Sequence, residues 1–341
     1  MAFSARGAAS LLSRIPTALF PISLGLAGFG AALSKASAVM GSTTGVTVGH
    51  GFLLAALSVL SVVVLLYCVK LVRAPGDILA DLKTATHANL LAPGFMAAMV
   101  IGGSFATMHP AAPILWLVAT VGHTLLLVGF VARWLTQHYS TDDLNPTWFL
   151  PAAGIMTSAM VWPGSDMVGV PTALPMFTLA TGALVWLMLL PLVFRKLVFE
   201  APVPADLRPT LFITAAPFGL FAGAVLTLFP SAPNELAAMF LLAGLFIVLV
   251  LLFKLGFLLK AGVTLSWWAT TFPVATLATG FFRVSEPGEA VYLGIAMLLL
   301  ALAGLATLVA VIATLRSAWR TCAKTAGKTE TEIFAMFGNR K

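Results

Sequence analysis

Long apolar runs, each bounded by charged or turn-forming residues, recur along almost the whole chain. A helix needs about 20 mostly apolar residues to cross the hydrocarbon of a bilayer. Charged residues make up only 9% of the 341 residues and hydrophobic residues 60%, whereas a water-soluble domain carries roughly a quarter of its residues as charges. The sequence therefore predicts an all-α transmembrane protein, with residues 1–341 forming a single membrane domain.

The predicted membrane helices form ten segments, which we number in chain order. Gly, Pro or polar residues interrupt the third, fifth and ninth segments. A short basic tail at 316–341 follows the tenth segment. The predicted spans are 15–34, 52–72, 90–109, 113–135, 147–164, 173–194, 209–229, 236–259, 265–282 and 290–315.

The first segment has a second interpretation, since Arg6 and Arg14 precede an apolar stretch that ends near Ala36-Ser37-Ala38. This outline is typical of a cleaved signal peptide. The stretch is long, however, and contains Pro16 and Pro21, a broken pattern that recurs later in the chain. We expect a retained first helix.

Basic residues indicate the orientation, because Lys and Arg near helix ends are retained on the cytoplasmic side. Of the 19 Lys and Arg residues, all but Lys35 and Arg283 fall on one side of the predicted topology. They are spread between apolar runs and form no single patch, which argues against nucleic-acid binding. We expect both termini in the cytoplasm and a location in a cell membrane, such as a bacterial inner membrane.

Proline marks the odd-numbered segments and is followed in each by glycine, whereas the even-numbered segments lack a central proline. A proline frees a backbone carbonyl, which is tolerated inside a membrane only against protein or a water-filled cavity. The pattern predicts five helical hairpins in quasi-fivefold arrangement around a central pore, with kinked odd helices inside and straight even helices outside. The predicted kinks lie at Pro21, Pro93, Pro151, Pro217 and Pro273.

An aromatic residue stands beside the proline in each odd segment. Packing would explain any one of these side chains, but their shared position relative to the prolines favours a narrow, apolar-walled axis. The residues predicted to line the pore are Phe20, Leu24, Phe95, Phe149 and Phe218. A pore that is uncharged along the odd segments and has cationic mouths would select anions by their cost of dehydration.

Signatures of catalysis, metal binding and cofactor binding are missing from the sequence. It contains no GxSxG, HExxH or Walker A motif. Cys68 and Cys322 lie far apart and in no Cys/His cluster, so neither a zinc site nor a disulfide framework is expected. The odd segments also carry no carboxylate that could relay protons. We expect neither an enzyme nor a cofactor.

Three stretches resemble the tellurite-resistance and C4-dicarboxylate transporter family, which includes the slow anion channels of plant guard cells. Residues 16–26 resemble its opening helix, although Pro21 and Ser23 stand where glycine and proline are expected. Arg208-Pro209-Thr210 with Ala216-Pro217 resembles its seventh helix. The stretch from Ser266 to Pro273, which includes Trp267-Trp268-Ala269 and Phe272-Pro273, resembles its ninth helix and is the most specific match.

The resemblance implies a ten-helix protomer with one pore, assembled as a homotrimer, in which Phe272 occludes the pore. The transported species would be small inorganic anions, dicarboxylates or tellurite. Two functions stay open: an anion channel gated by Phe272, and a secondary C4-dicarboxylate or tellurite transporter. A membrane enzyme or an assembly factor would require a catalytic cluster, which the sequence does not show.

Overall fold

The computed structural model describes residues 15–285 and 289–325. Within these ranges all regular structure is helical and no strand occurs. The α-helices are α1 (Phe20–Val39), α2 (Thr43–Arg73), α3 (Pro75–Lys83), α4 (Ala85–Asn89), α5 (Ala92–Ser104), α6 (Ala111–Thr136), α7 (Phe149–Ala153), α8 (Met156–Met160), α9 (Ser165–Val168), α10 (Ala173–Phe199), α11 (Ala216–Leu228), α12 (Asn234–Phe253), α13 (Leu255–Leu258), α14 (Trp268–Val284) and α15 (Ala290–Thr325).

Short 3-10 helices precede or connect several of these α-helices. They span Thr17–Leu19, Thr141–Asp143, Pro146–Trp148, Ala205–Ala215, Leu259–Ala261 and Leu265–Trp267. The predicted tail begins inside α15, which continues to Thr325. The rest of the tail, 326–341, lies outside the described residues, as do Arg6 and Arg14 of the proposed signal-peptide outline.

Eight stretches of the described chain are long and apolar enough to cross a membrane, where the sequence predicts ten. The fifth predicted span is divided between the 3-10 helix Pro146–Trp148, α7 and α8. The ninth corresponds to α14, which has 17 residues and follows a 3-10 turn. Both segments are helical, but the fifth is divided at Gly154 and Ile155, and the α-helix of the ninth begins only at Trp268.

Three of the predicted kinks are helix starts. Pro21, Pro93 and Pro217 each lie in the first turn of their α-helix, where the missing N–H of proline costs nothing because that group has no helical partner. A 3-10 or short α-helical piece precedes each of them. The odd segments are therefore broken rather than bent at these positions. Pro273 differs, since it lies inside α14.

The even-segment helices α2, α6, α10, α12 and α15 are longer and mostly uninterrupted, although α10 contains Pro191. Only 28–33% of residues in their most apolar windows are buried, against 56–67% in the stretches Thr17–Val39, Ala85–Ser104 and Ala205–Leu228. Large apolar side chains stand exposed along them: Leu65, Leu125, Leu187, Phe246 and Leu298. An apolar outer face of this kind is suited to lipid.

Each even helix packs against the odd segment that precedes it: α2 on α1, α6 on α5, α10 on α7 and α8, α12 on α11, and α15 on α14. The odd segments also pack on one another. Helix α1 contacts α5 and α14, α11 contacts α8 and α14, and α5 contacts α8. Odd segments thus have protein on most sides, which explains their greater burial.

Helix α6 supplies the hydrogen bonds that the broken fifth segment lacks. The Nε1 of Trp116 donates to the carbonyl of Ser158 at 3.1 Å, and the hydroxyl of Thr120 donates to the Ser158 hydroxyl at 3.0 Å. The Nε2 of His123, which is completely buried, lies 3.1 Å from the carbonyl of Pro151. These side chains replace helical partners that water cannot supply inside a membrane.

Candidate functional site

A cavity of about 250 Å³ lies among the odd segments, and all five of them contribute to its wall. Four of the five marked prolines, Pro21, Pro93, Pro217 and Pro273, line it. Pro273 cannot donate to the carbonyl of Ala269, and Ala269 also lines this space. The breaks in the odd segments are therefore gathered around one space, which we call the first cavity.

Two of the predicted lining residues and the predicted gate contribute to the wall of the first cavity. Leu24 comes from α1, Phe149 from α7 and Phe272 from α14. Each is nearly buried, with 4%, 2% and 3% of its surface exposed. Apolar side chains thus dominate the deep part of the cavity.

The other three predicted lining residues pack away from both described cavities. Phe20 lies against Tyr67, with ring centroids 4.9 Å apart. Phe95 lies 6.2 Å from the ring of His123, and Phe218 makes an edge contact with Trp186 at 5.0 Å. The rings of Phe20, Phe95 and Phe218 therefore contact even helices instead of the cavities. Neighbouring helical positions differ by about 100° in direction, so closeness to proline alone does not bring a side chain to one axis.

Three basic residues from the predicted cytoplasmic side, Lys70, Arg133 and Arg208, have protein partners. Lys70 is buried and its Nζ lies 2.7 Å from Asp81 Oδ2. Arg133 donates to the carbonyl of Leu82 at 2.7 Å. Arg208 donates to the carbonyl of Phe257 at 3.1 Å and stacks over its ring.

Asp206, which is exposed, is the charged residue among the described residues that line the first cavity. Hydroxyl-bearing residues accompany it near the starts of the odd segments: Thr86, Thr147, Thr210, Thr264 and Ser266. The sequence predicts a cationic mouth, but no Lys or Arg among residues 15–285 and 289–325 lines this wall. Lys70, Arg133 and Arg208 instead bind Asp81 and backbone carbonyls.

A second cavity, of about 60 Å³, is lined by residues nearer the carboxyl ends of the odd segments, including Gly28, Val100, Gly223 and Thr276. Phe272 contributes to the wall of this cavity as well as the first. Both cavities exceed the roughly 10–15 Å³ that one water molecule needs. The ring of Phe272 therefore lies where two spaces that can hold water approach each other.

Arg283 also lines the second cavity, and the sequence placed it in a loop beyond the ninth segment. The difference arises because α14 continues to Val284, which leaves Arg283 in its last turn. Its guanidinium NH1 donates to the carbonyl of Gly223 at 3.1 Å and to the hydroxyl of Thr227 at 2.8 Å. The wall of the second cavity is thus not uncharged.

Gly28 packs directly against Phe272 and leaves room for its ring. The sequence analysis did not identify this role. A Cβ at position 28 would lie 2.7 Å from Cδ2 of the ring and 3.4 Å from the Cα of Phe272. Such distances leave no room for a side chain, so α1 can approach α14 closely only with glycine here. The sequence does show Gly28 in the first segment, but a glycine in a sequence does not show which residue it will contact in the fold.

Comparison with known proteins gives two results. A family model described as voltage-dependent anion channel, SLAC1, matches residues 14–317. Two relatives from Methanocaldococcus jannaschii, both named uncharacterized transporters, are each 24% identical to this chain. The first alignment covers 62% of this chain and 68% of the relative. The second covers 58% of this chain and 62% of the relative.

Proposed function

The chain belongs to the SLAC1 family of voltage-dependent anion channels, which is the tellurite-resistance and C4-dicarboxylate transporter family that its sequence resembles. We propose that the protein forms a gated, passive pathway for small anions. The eight membrane-capable stretches of the described residues and the family make it a multi-pass membrane protein. Members of the family are transporters and channels rather than enzymes.

The proposed path runs through the first cavity, past Phe272 and into the second cavity. One observation carries this proposal, namely that Phe272 contributes to the walls of both cavities. On the proposed path, an ion that moves from one cavity to the other passes the ring of Phe272. A phenyl ring there blocks an ion by its volume and by offering no polar partner to replace lost water. Phe272 is therefore the proposed gate.

The proposed architecture is five hairpins around this path, with the odd segments inside. Support comes from the contacts of the odd segments, since α1, α5, α8, α11 and α14 each pack on two others in a closed sequence. The apolar outer faces of the even helices support the same arrangement. A homotrimer with one pore in each protomer and with cytoplasmic termini completes the proposal. Native mass spectrometry in detergent would test the trimer.

The alternative is a coupled transporter of C4-dicarboxylates. A site that holds two carboxylates firmly needs cationic or other strong donors, and none of the described Lys and Arg residues lines the first cavity. This favours a channel, in which selectivity depends on dehydration, over a carrier with a fixed binding site.

Anion flux into liposomes, measured against membrane voltage and against a pH gradient, tests the proposed function. A channel passes nitrate or chloride down the electrochemical gradient, and a pH gradient alone drives no accumulation. The coupled carrier predicts the reverse, with succinate accumulating when a proton gradient is imposed. Protein-free liposomes and liposomes with heat-inactivated protein provide the background.

A further inference from the structure

The second cavity has walls of small and apolar side chains, with polar groups from α14. Thr276 and Thr279 line it, but their hydroxyls already donate to the carbonyls of Pro273 and Ala275, each at 2.9 Å. Anions need hydrogen-bond donors or positive charge, and a hydroxyl that donates to its own helix offers an anion only its oxygen. These two threonines therefore give an anion little support.

Arg283 is the cationic residue on this wall. Its guanidinium has five N–H groups in a rigid plane and keeps its charge at any physiological pH. The bonds from NH1 to Gly223 and Thr227 tie it to α11, so the charge stands at a fixed place beside the cavity. In the narrow space between helices a charge acts more strongly than it would in open water.

We propose that Arg283 is the anion-attracting residue of the second cavity, where it raises the local concentration of anions that then pass Phe272. This rests on the proposed function, and it adds a specificity-determining residue that the uncharged pore predicted from the sequence does not contain. The charge favours anions over cations in general, while the choice among anions is left to dehydration at the apolar ring.

A purely structural role for Arg283 would have different consequences. The same two hydrogen bonds join the end of α14 to α11, so the residue could serve only to hold these helices together. Thr227→Val separates the two roles, since it removes one of the bonds from Arg283 and leaves the positive charge. It also removes the contacts of the Thr227 hydroxyl with the carbonyls of Met160 and Gly223, each at 2.9 Å, so flux close to that of the parent would be the stricter result. Thr227 does not line either described cavity.

The test uses full-length protein in liposomes, with nitrate as the permeant anion and Phe272→Ala as the parent so that flux is high. We expect Arg283→Gln to lower nitrate flux about tenfold at low ionic strength, because a unit charge close to the path is lost. The deficit should shrink as an impermeant salt is added, because the Debye length falls from about 30 Å at 0.01 M to about 3 Å at 1 M. Arg283→Lys should keep most of the flux and its salt dependence, and Thr227→Val should stay within about twofold of the parent.

Thermal stability of every variant is measured alongside flux. Equal nitrate flux for Arg283→Gln and the parent at every salt concentration would overturn the proposal. So would a drop in Thr227→Val or Arg283→Lys as large as that in Arg283→Gln, since the charge would then be irrelevant. If Arg283→Gln does not fold, Arg283→Lys is compared with the parent: nitrate flux that is about tenfold lower although the charge is kept would overturn the proposal. A stable parent that passes no nitrate would refute the proposed function itself, and the role of Arg283 with it.

Discussion

Gly28 of α1 stands against the ring of Phe272 in α14, so close that a Cβ at position 28 would lie 2.7 Å from the ring carbon Cδ2. Phe272 is only 3% exposed and contributes to the walls of both cavities. The ring is therefore held on the α1 side by a backbone without a side chain. Its position depends on that glycine as much as on its own helix.

Gly28→Ala should destabilise the protein by about 1–3 kcal/mol, because the added methyl overlaps the ring and forces it or the helix to shift. In a Phe272→Ala background the same change should cost about 0.5 kcal/mol or less, since the clashing ring carbon is gone and the effects of residues in contact do not add. Thermal unfolding of the four proteins of this cycle measures the difference. Equal costs in both backgrounds would mean that the two residues do not touch.

Much of the fold could be predicted from the sequence, but the placement of most individual side chains could not. Apolar length and charge scarcity are averages over many residues, so the helical class and the positions of most spans follow from them. The same averages could not show that Pro21, Pro93 and Pro217 start helices instead of bending them, because this depends on the 3-10 or short helical piece before each proline.

Side-chain direction was harder to predict for a geometric reason. Phe20 and Phe272 each stand directly before a proline, but Pro21 lies in the first turn of α1 and Pro273 lies inside α14. Phe20 contacts Tyr67, whereas Phe272 lines both cavities. The position of Arg283 depended on where α14 ends, and segment ends are the least certain part of any sequence-based assignment.

His123 should be required for stability rather than for transport. Its Nε2 lies 3.1 Å from the carbonyl of Pro151, at the break between α7 and α8. His123→Leu removes that partner and leaves a buried carbonyl unsatisfied, at a cost of about 1–3 kcal/mol. Thr124→Val is the matched control, since the hydroxyl of Thr124 donates to a carbonyl of its own helix. A lower unfolding temperature for His123→Leu alone, with nitrate flux per folded protein unchanged, is the expected result.

Selectivity among anions should follow the cost of dehydration. In the part of the chain that the structure describes, no Lys or Arg lines the first cavity. Phe272 offers an ion no polar group, so a strongly hydrated anion loses water without full compensation. Nitrate and iodide should therefore permeate better than chloride, and chloride better than sulfate. Reversal potentials in planar bilayers under biionic conditions give the order. A preference for sulfate would indicate a binding site stronger than the charge of Arg283.

Water access should distinguish the odd segments from the even ones. After replacement of Cys68 and Cys322, single cysteines at Ala269 and Thr276, which line the two cavities, should react faster with a small aqueous thiol reagent than one at Leu65, which is 65% exposed on α2. A lipid-facing thiol is reached poorly because the reagent and the thiolate both avoid hydrocarbon. Faster labelling at Leu65 would contradict the arrangement with odd segments inside.

Removing the ring of Phe272 should open the path. The Phe272→Ala variant is expected to raise anion conductance at least about tenfold, because the ring's volume and its apolar surface are lost together from the point where the two cavities approach each other. The matched control is Phe282→Ala in the same helix, since Phe282 is completely buried and lines neither described cavity. That change should cost roughly 3–5 kcal/mol of stability, as truncation of a core phenylalanine does, without adding current. If Phe272→Ala behaved like Phe282→Ala, with a large loss of stability and unchanged conductance, Phe272 would be a packing residue and the proposed gate would have to be sought elsewhere along the odd segments.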